Sequence, residues 1–171
     1  MAADSGNGPT RNTRPPKAQA GFGVGVVVQD GRGRILLGRH REGTWELPGG
    51  KVDPTHESVA AAAVRELREE TGLDVPEEAV TVFAMLHDVV AGTIRITMAA
   101  LVSVEAAVAE VTEPHLISAW RWTSPDELPD LLFDPSAQIL AVWRPDLAVA
   151  HPPAHHLRIA AEQDAPASLQ L

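Results

Sequence analysis

Three carboxylates in this chain stand where they can act together. Glu66, Glu69 and Glu70 are at i, i+3 and i+4 within VAAAAVRELREETG, and on a helix those positions share one face. The run from Ser58 to Leu67 is rich in alanine, with Val59, Ala63 and Leu67 at helical spacing, so the pattern predicts a helix that Gly72 ends. Such a helix works against itself. Like charges four apart cost about 0.2–0.5 kcal/mol per pair even when exposed, and Glu69 and Glu70 fall in the last turn, where the macrodipole favours cations. Local rules tend to fail at functional sites. The missing partner is positive, and clustered carboxylates suit a hard divalent cation such as Mg²⁺ or Mn²⁺.

The wider stretch Gly49–Leu73, GGKVDPTHESVAAAAVRELREETGL, resembles the Nudix box, the signature of the Nudix hydrolases. That signature reads G-x5-E-x7-R-E-U-x-E-E-x-G-U, with U a bulky aliphatic residue. From Glu57 through Arg65, Glu66, Glu69, Glu70, Gly72 and Leu73 every fixed position is filled. The first half departs by one residue, since six residues separate Gly50 from Glu57. The extra residue falls in Asp53–His56, and loops absorb insertions readily. A slightly longer loop and an intact helix are therefore expected.

The resemblance, closest to MutT-like nucleoside triphosphate pyrophosphatases, implies a Nudix-type α/β/α sandwich with a mixed β-sheet. It implies a metal shell of Glu66, Glu69 and Glu70 joined by the Gly49 carbonyl. It also implies a structural brace between Glu57 and Arg65, for which the local alternative is an ordinary Arg65–Glu69 pair. Arg39 matches the arginine that contacts substrate phosphate. A further carboxylate is expected before the late aromatic strand; Glu113 occupies that region, with Glu110 and Glu105 as rivals. Glu66 is favoured as a ligand that doubles as the base, and Glu113 is the alternative base. Trp45 either stacks on a nucleobase or packs in the core.

The elements that must position these residues can be read along the chain. Residues 1–20 have no apolar period and read as a disordered tail. FGVGVVVQ (Phe22–Gln29) and RILLGRHR (Arg34–Arg41) flank a DGRG turn and read as a hairpin. Gly23 and Gly25 share one face, leaving either room for a ligand or a tight backbone contact. TWELP resembles the short strand before the box in MutT-type enzymes, and Ala79–Val89 and Thr93–Glu105 read as two more strands. In these, Arg95 is expected on an open face, and His87 and Asp88 either line a pocket or, as the favoured reading, are exposed strand-end residues. The aromatic strand ending at Trp122 leads to a one-turn helix opened by Ser124, then a packing helix at Gln138–Trp143. The domain is expected over 21–144. Residues 145–171 read as a C-terminal tail in which Leu157–Ala161 forms a short element, and His151, His155 and His156 are solvated there.

Composition narrows the function classes. No cysteine is present, which removes disulfides, thiolate metal sites and cysteine nucleophiles. The net charge is −9, with +2 on the first twenty residues and −11 on the remainder. That body is a poor binder of nucleic-acid polymers. No signal peptide or membrane span is read, and a cytoplasmic place is expected. What the resemblance implies is metal-dependent hydrolysis of a nucleoside diphosphate linked to a group X, in the first place an NTP to NMP and pyrophosphate. The small-molecule nucleotide is the expected partner, with a homodimer left open. The rival is a non-catalytic nucleotide or sugar-nucleotide sensor of the same fold.

Overall fold

A computed structural model describes residues 20–105 and 107–160. Strand β1 (Ala20–Asp30) carries the centre of the sheet. Its even-numbered valines, Val24, Val26 and Val28, are buried in one core, and Val27 is buried in another on the opposite face. A strand covered on both faces reads as a continuous apolar run rather than an alternating one. β2 (Ile35–His40), β3 (Trp45–Glu46), β4 (Gly49–Lys51), β5 (Thr81–Val90), β6 (Thr93–Val104), β7 (Ile117–Thr123) and β8 (His155–Arg158) complete an eight-stranded mixed sheet. The order is β3-β2-β1-β6-β5-β8, with β4 on β1 and β7 on β2.

Helix α1 (Val59–Thr71) covers one face and α2 (Asp134–Trp143) the other. Ser58 caps α1 by accepting from the Ala61 N–H at 2.9 Å. Gly72 ends it at φ +71°, a left-handed conformation that glycine reaches without penalty. The apolar face buries Ala62, Ala63 and Leu67. Leu67→Ala would cost about 2–5 kcal/mol and loosen the helix from the sheet. α2 takes Pro135 in its first turn and is buried nearly all round, from Pro135 to Leu140. Among the described residues no helix is long and apolar enough to cross a membrane.

The sheet departs from the expected hairpin in an instructive way. The Asp30 turn forms, with Asp30 Oδ1 accepting from the N–H groups of Arg32 and Arg34 at 3.0 and 2.8 Å. β1 and β2 then pair only at Gln29↔Ile35. β1 instead runs parallel to β6 from Ala20↔Ile94 to Asp30↔Val104, and antiparallel to β4 at Gly23↔Lys51 through Gly25↔Gly49. β2 turns away to β3 and β7. The stretch read as a C-terminal tail also contributes: His155–Arg158 pairs with β5, two residues earlier than the short element expected there.

Candidate active site

The site begins where α1 meets β4. Gly50 has no Cβ, and one built there would lie 2.3 Å from Glu66 Oε1. Gly49 sits at φ +151°, and its Cβ would lie 2.1 Å from the Val24 carbonyl oxygen. The two glycines therefore let the helix carboxylates rest directly on strand backbone. Glu70 Oε2 accepts from the Gly49 N–H at 2.9 Å. The Glu66 side chain is 13% exposed and that of Glu69 54%, so the three carboxylates share a helix face but not an environment.

Arg65 ties this face to the preceding loop. Its Nε and Nη2 donate to both Glu57 oxygens at 3.0 and 2.9 Å, and Nη2 also reaches the Lys51 carbonyl at 2.9 Å. Nη1 donates to Glu66 Oε1 at 2.8 Å and Glu69 Oε2 at 3.1 Å. Arg65 thus makes both the contact to Glu57 and the Arg65–Glu69 pair. The lengthened loop closes on itself, with Glu57 Oε1 accepting from the Asp53 N–H and the Asp53 carbonyl accepting from the His56 and Glu57 N–H groups.

One guanidinium does not balance these acids. The Glu57 carboxyl is held below the usual range by Arg65 and by the Asp53 N–H. Burial pushes the Glu66 carboxyl up; Arg65 opposes this, and the charges of Glu69 and Glu113 add to it. Burial drives Glu70 furthest, to about 8, against the Gly49 hydrogen bond and with help from Glu66, Glu46 and Glu113. The half-buried Glu113, in the loop before β7, is therefore within electrostatic reach of both carboxylates.

Among the described residues no three His, Asp or Glu side chains form a ready-made metal cage. The donor chemistry nevertheless fits a hard divalent cation. Glu66 and Glu70 are oxygen donors whose charged forms are disfavoured where they stand, and a cation would relieve that deficit.

The Gly49–Gly50 backbone also lines a cavity of about 340 Å³ on the α2 side of the sheet. Gly23, Phe22, Arg95, Phe133 and Ile139 are among its walls. Both Gly23 and Gly25 line it, and both are closely packed: a Cβ at Gly25 would lie 2.5 Å from Ile139 Cδ1 and one at Gly23 2.8 Å from the Gly50 carbonyl oxygen.

Two expected substrate contacts lie elsewhere. Arg39 is exposed on β2, where its carbonyl accepts from Ser118 Oγ, and is not a cavity wall. Trp45 is half-buried against the α2-side core with the Arg121 guanidinium 4.3 Å over its ring. Its backbone is hydrogen-bonded to Leu131 and Phe133.

Sequence spacing does not single out Glu46. Glu46 lines the cavity and a second hollow of about 230 Å³ that Glu70 also lines, and burial pushes its carboxyl up. A glutamate inside the apolar TWELP strand was the available signal. Arg95 and Asp88, expected to be exposed, form an ion pair at side-chain exposures of 22% and 10%. Register explains the correction: the two are direct partners across β5 and β6 on the face that α2 covers.

Comparison with known proteins agrees with this architecture. The NUDIX domain family model matches residues 20–147. An RNA pyrophosphohydrolase from Novosphingobium aromaticivorans is 30% identical over 132 residues, 64% of this chain and 80% of that protein. The human mitochondrial coenzyme A diphosphatase NUDT8 is 48% identical over 56 residues, 33% of this chain but only 23% of the relative's length. A crystal structure of a MutT NUDIX hydrolase from Burkholderia pseudomallei superposes with a TM-score of 0.64 at 31% identity, covering 71% of this chain and 96% of that one.

Proposed function

The chain belongs to the NUDIX domain family, and on that premise we propose that it hydrolyses phosphoanhydrides with the help of Mg²⁺ or Mn²⁺. The substrate is a nucleoside diphosphate linked to a further group, in the first place a nucleoside triphosphate that yields the monophosphate and pyrophosphate. One observation carries this reading. Two half-buried, charge-starved carboxylates, Glu66 and Glu70, rest on the same Gly49–Gly50 backbone that lines the 340 Å³ cavity. A charge-neutralising centre thus adjoins a hollow within the usual size range of small-molecule sites. The relatives named for pyrophosphohydrolase and diphosphatase activity point to the same bond type. An RNA 5′ end is the weaker choice, because a body of charge −11 repels a polyphosphate chain.

Glu66, Glu69, Glu70 and the Gly49 carbonyl would hold the metal. When bound, it supplies positive charge to the phosphate oxygens and makes water a competent nucleophile at neutral pH. Glu66, or Glu113 as the alternative, takes the proton as water oxygen bonds to phosphorus and the bridging oxygen leaves with the other phosphoryl group. Arg65 keeps Glu66 and Glu69 aligned while Glu57 anchors it to the loop.

The test is a melting curve with and without millimolar Mg²⁺ or Mn²⁺, alongside a nucleotide screen that scores pyrophosphate against orthophosphate. Metal should raise the melting temperature, since a ligand bound only by the folded state stabilises it, and pyrophosphate should appear. An unmoved melting curve together with no product from any nucleotide would overturn the reading.

A further inference from the structure

The Asp88–Arg95 pair lies on the cavity face of the sheet but outside the reaction just proposed. By register Arg95 stands opposite Gly21 on β1, while Gly25 is level with Ala99 and Gly49. Four residues of strand separate those two rows, about 13 Å at the usual rise. The cavity between them runs from the carboxylate-bearing end at Gly49 to the guanidinium of Arg95, with Phe22, Ile96 and Phe133 among its apolar walls.

The pair is built to hold one geometry. Arg95 Nε donates to Asp88 Oδ1 at 3.0 Å and its Nη2 donates to Oδ2. Asp88 Oδ2 also accepts from Gln138 Nε2 at 3.0 Å, and that amide, only 2% exposed on α2, donates to the Pro152 carbonyl as well at 3.3 Å. A guanidinium has five N–H donors in a planar fork. Side-on pairing uses two, and among the described residues Arg95 makes no other hydrogen bond. No buried nitrogen of the described side chains lacks a partner, so the remaining fork is open to whatever occupies the cavity. The pair as a whole is neutral. It therefore suits a neutral acceptor edge better than a phosphate, which an unpaired arginine would serve.

We propose that Arg95 is the specificity-determining residue of this cavity. Its free fork meets a nucleobase edge with two adjacent acceptors, the O6 and N7 of guanine, while Asp88 and Gln138 act as positioning residues. The proposal rests on the nucleotide reading above. Adenine sets an amino donor where guanine has O6, so donor would face donor. A bidentate arginine contact of this kind separates the two bases by roughly tenfold or more.

The test measures binding of guanosine and adenosine 5′-monophosphates to the full chain by calorimetry, which needs no turnover, beside pyrophosphate release from the two triphosphates with Mg²⁺. The wild type should favour the guanosine form roughly tenfold or more. Arg95→Met combined with Asp88→Asn removes both charges together, so neither is left unpaired, and should bring the ratio close to one. Gln138→Leu should narrow the ratio without erasing it. Equal binding by the wild type, or a preference that survives in the folded double variant, overturns the role of Arg95. Hydrolysis without base preference fells this proposal alone. Failure to bind or cleave any nucleotide fells the nucleotide reading, and this proposal with it.

Discussion

Two of the carboxylate–arginine clusters on this sheet, around Arg95 and around Arg65, are solved in opposite ways. Around Arg95 the charges match one to one. Burial would push the Asp88 carboxyl up, but the hydrogen bonds from Arg95 and Gln138 outweigh it and hold the acid below its ordinary range. Around Arg65 one cation faces Glu57, Glu66 and Glu69, while Glu70 beside them has only a backbone N–H. There the surplus acids are pushed up. A balanced cluster fixes a geometry; an unbalanced one keeps a demand for positive charge that something outside the chain must meet.

The strongest way to break this contrast is Glu70→Gln. The amide oxygen can still accept from the Gly49 N–H, but no negative charge can form there to meet a cation. Pyrophosphate release should fall about 10²–10³-fold, as when a group stabilising transition-state charge is lost. The melting temperature at pH 7 should hold or rise. Wild-type turnover in a folded Glu70→Gln protein would remove this face from the chemistry.

Asp88→Asn should show the mirror image. It leaves Arg95 facing a neutral amide, and loss of the charge-assisted bonds costs about 1–3 kcal/mol of stability. Turnover should drop far less than in Glu70→Gln. Denaturant unfolding beside the same product assay separates the two signatures, and equal loss of turnover in both variants would erase the distinction.

The smallest effect is in pH. The folded-state value for Glu70 of about 8 lies above its ordinary 4.5. Between these values the folded chain keeps a proton that the unfolded chain has released, so stability should fall as pH rises through that window. For Asp88 the folded value is lowered, and its contribution is present above the ordinary carboxylate range and lost as pH falls through it. In chelator, melting should therefore decline from pH 5 to pH 8, and Glu70→Gln should flatten the slope. Millimolar Mg²⁺ should restore the alkaline end. A wild-type slope unchanged in Glu70→Gln would refute the assignment.

The unbalanced cluster was the legible one. Glu66, Glu69, Glu70, Arg65 and Glu57 lie within fourteen consecutive residues, so helical spacing alone brings four of them together and the loop adds Glu57. The caps at Ser58 and Gly72 were readable for the same reason: their physics is local. Asp88 and Arg95 are seven apart in two different strands and meet only through the β5–β6 register. Their third member comes from α2, fifty residues from Asp88. The parallel pairing of β1 with β6 and the docking of β8 are likewise invisible to pattern, since neither leaves a turn between the partners. Glu46 was missed because burial of a strand glutamate depends on what α2 and Phe133 place over it.

The ladder between β1 and β6 also dictates an order of assembly. It joins residues 20–30 to residues 94–104, and Glu57, Arg65, Glu66, Glu69 and Glu70 all lie in the loop of chain it closes. During synthesis α1 emerges before its platform is complete, with Ala62, Ala63 and Leu67 bare and its acids crowded at one end. Such a helix is marginal alone. Closing so long a connection is slow relative to local structure. The carboxylate face is thus written early in the chain and built late, once β6 has left the ribosome and docked beside β1.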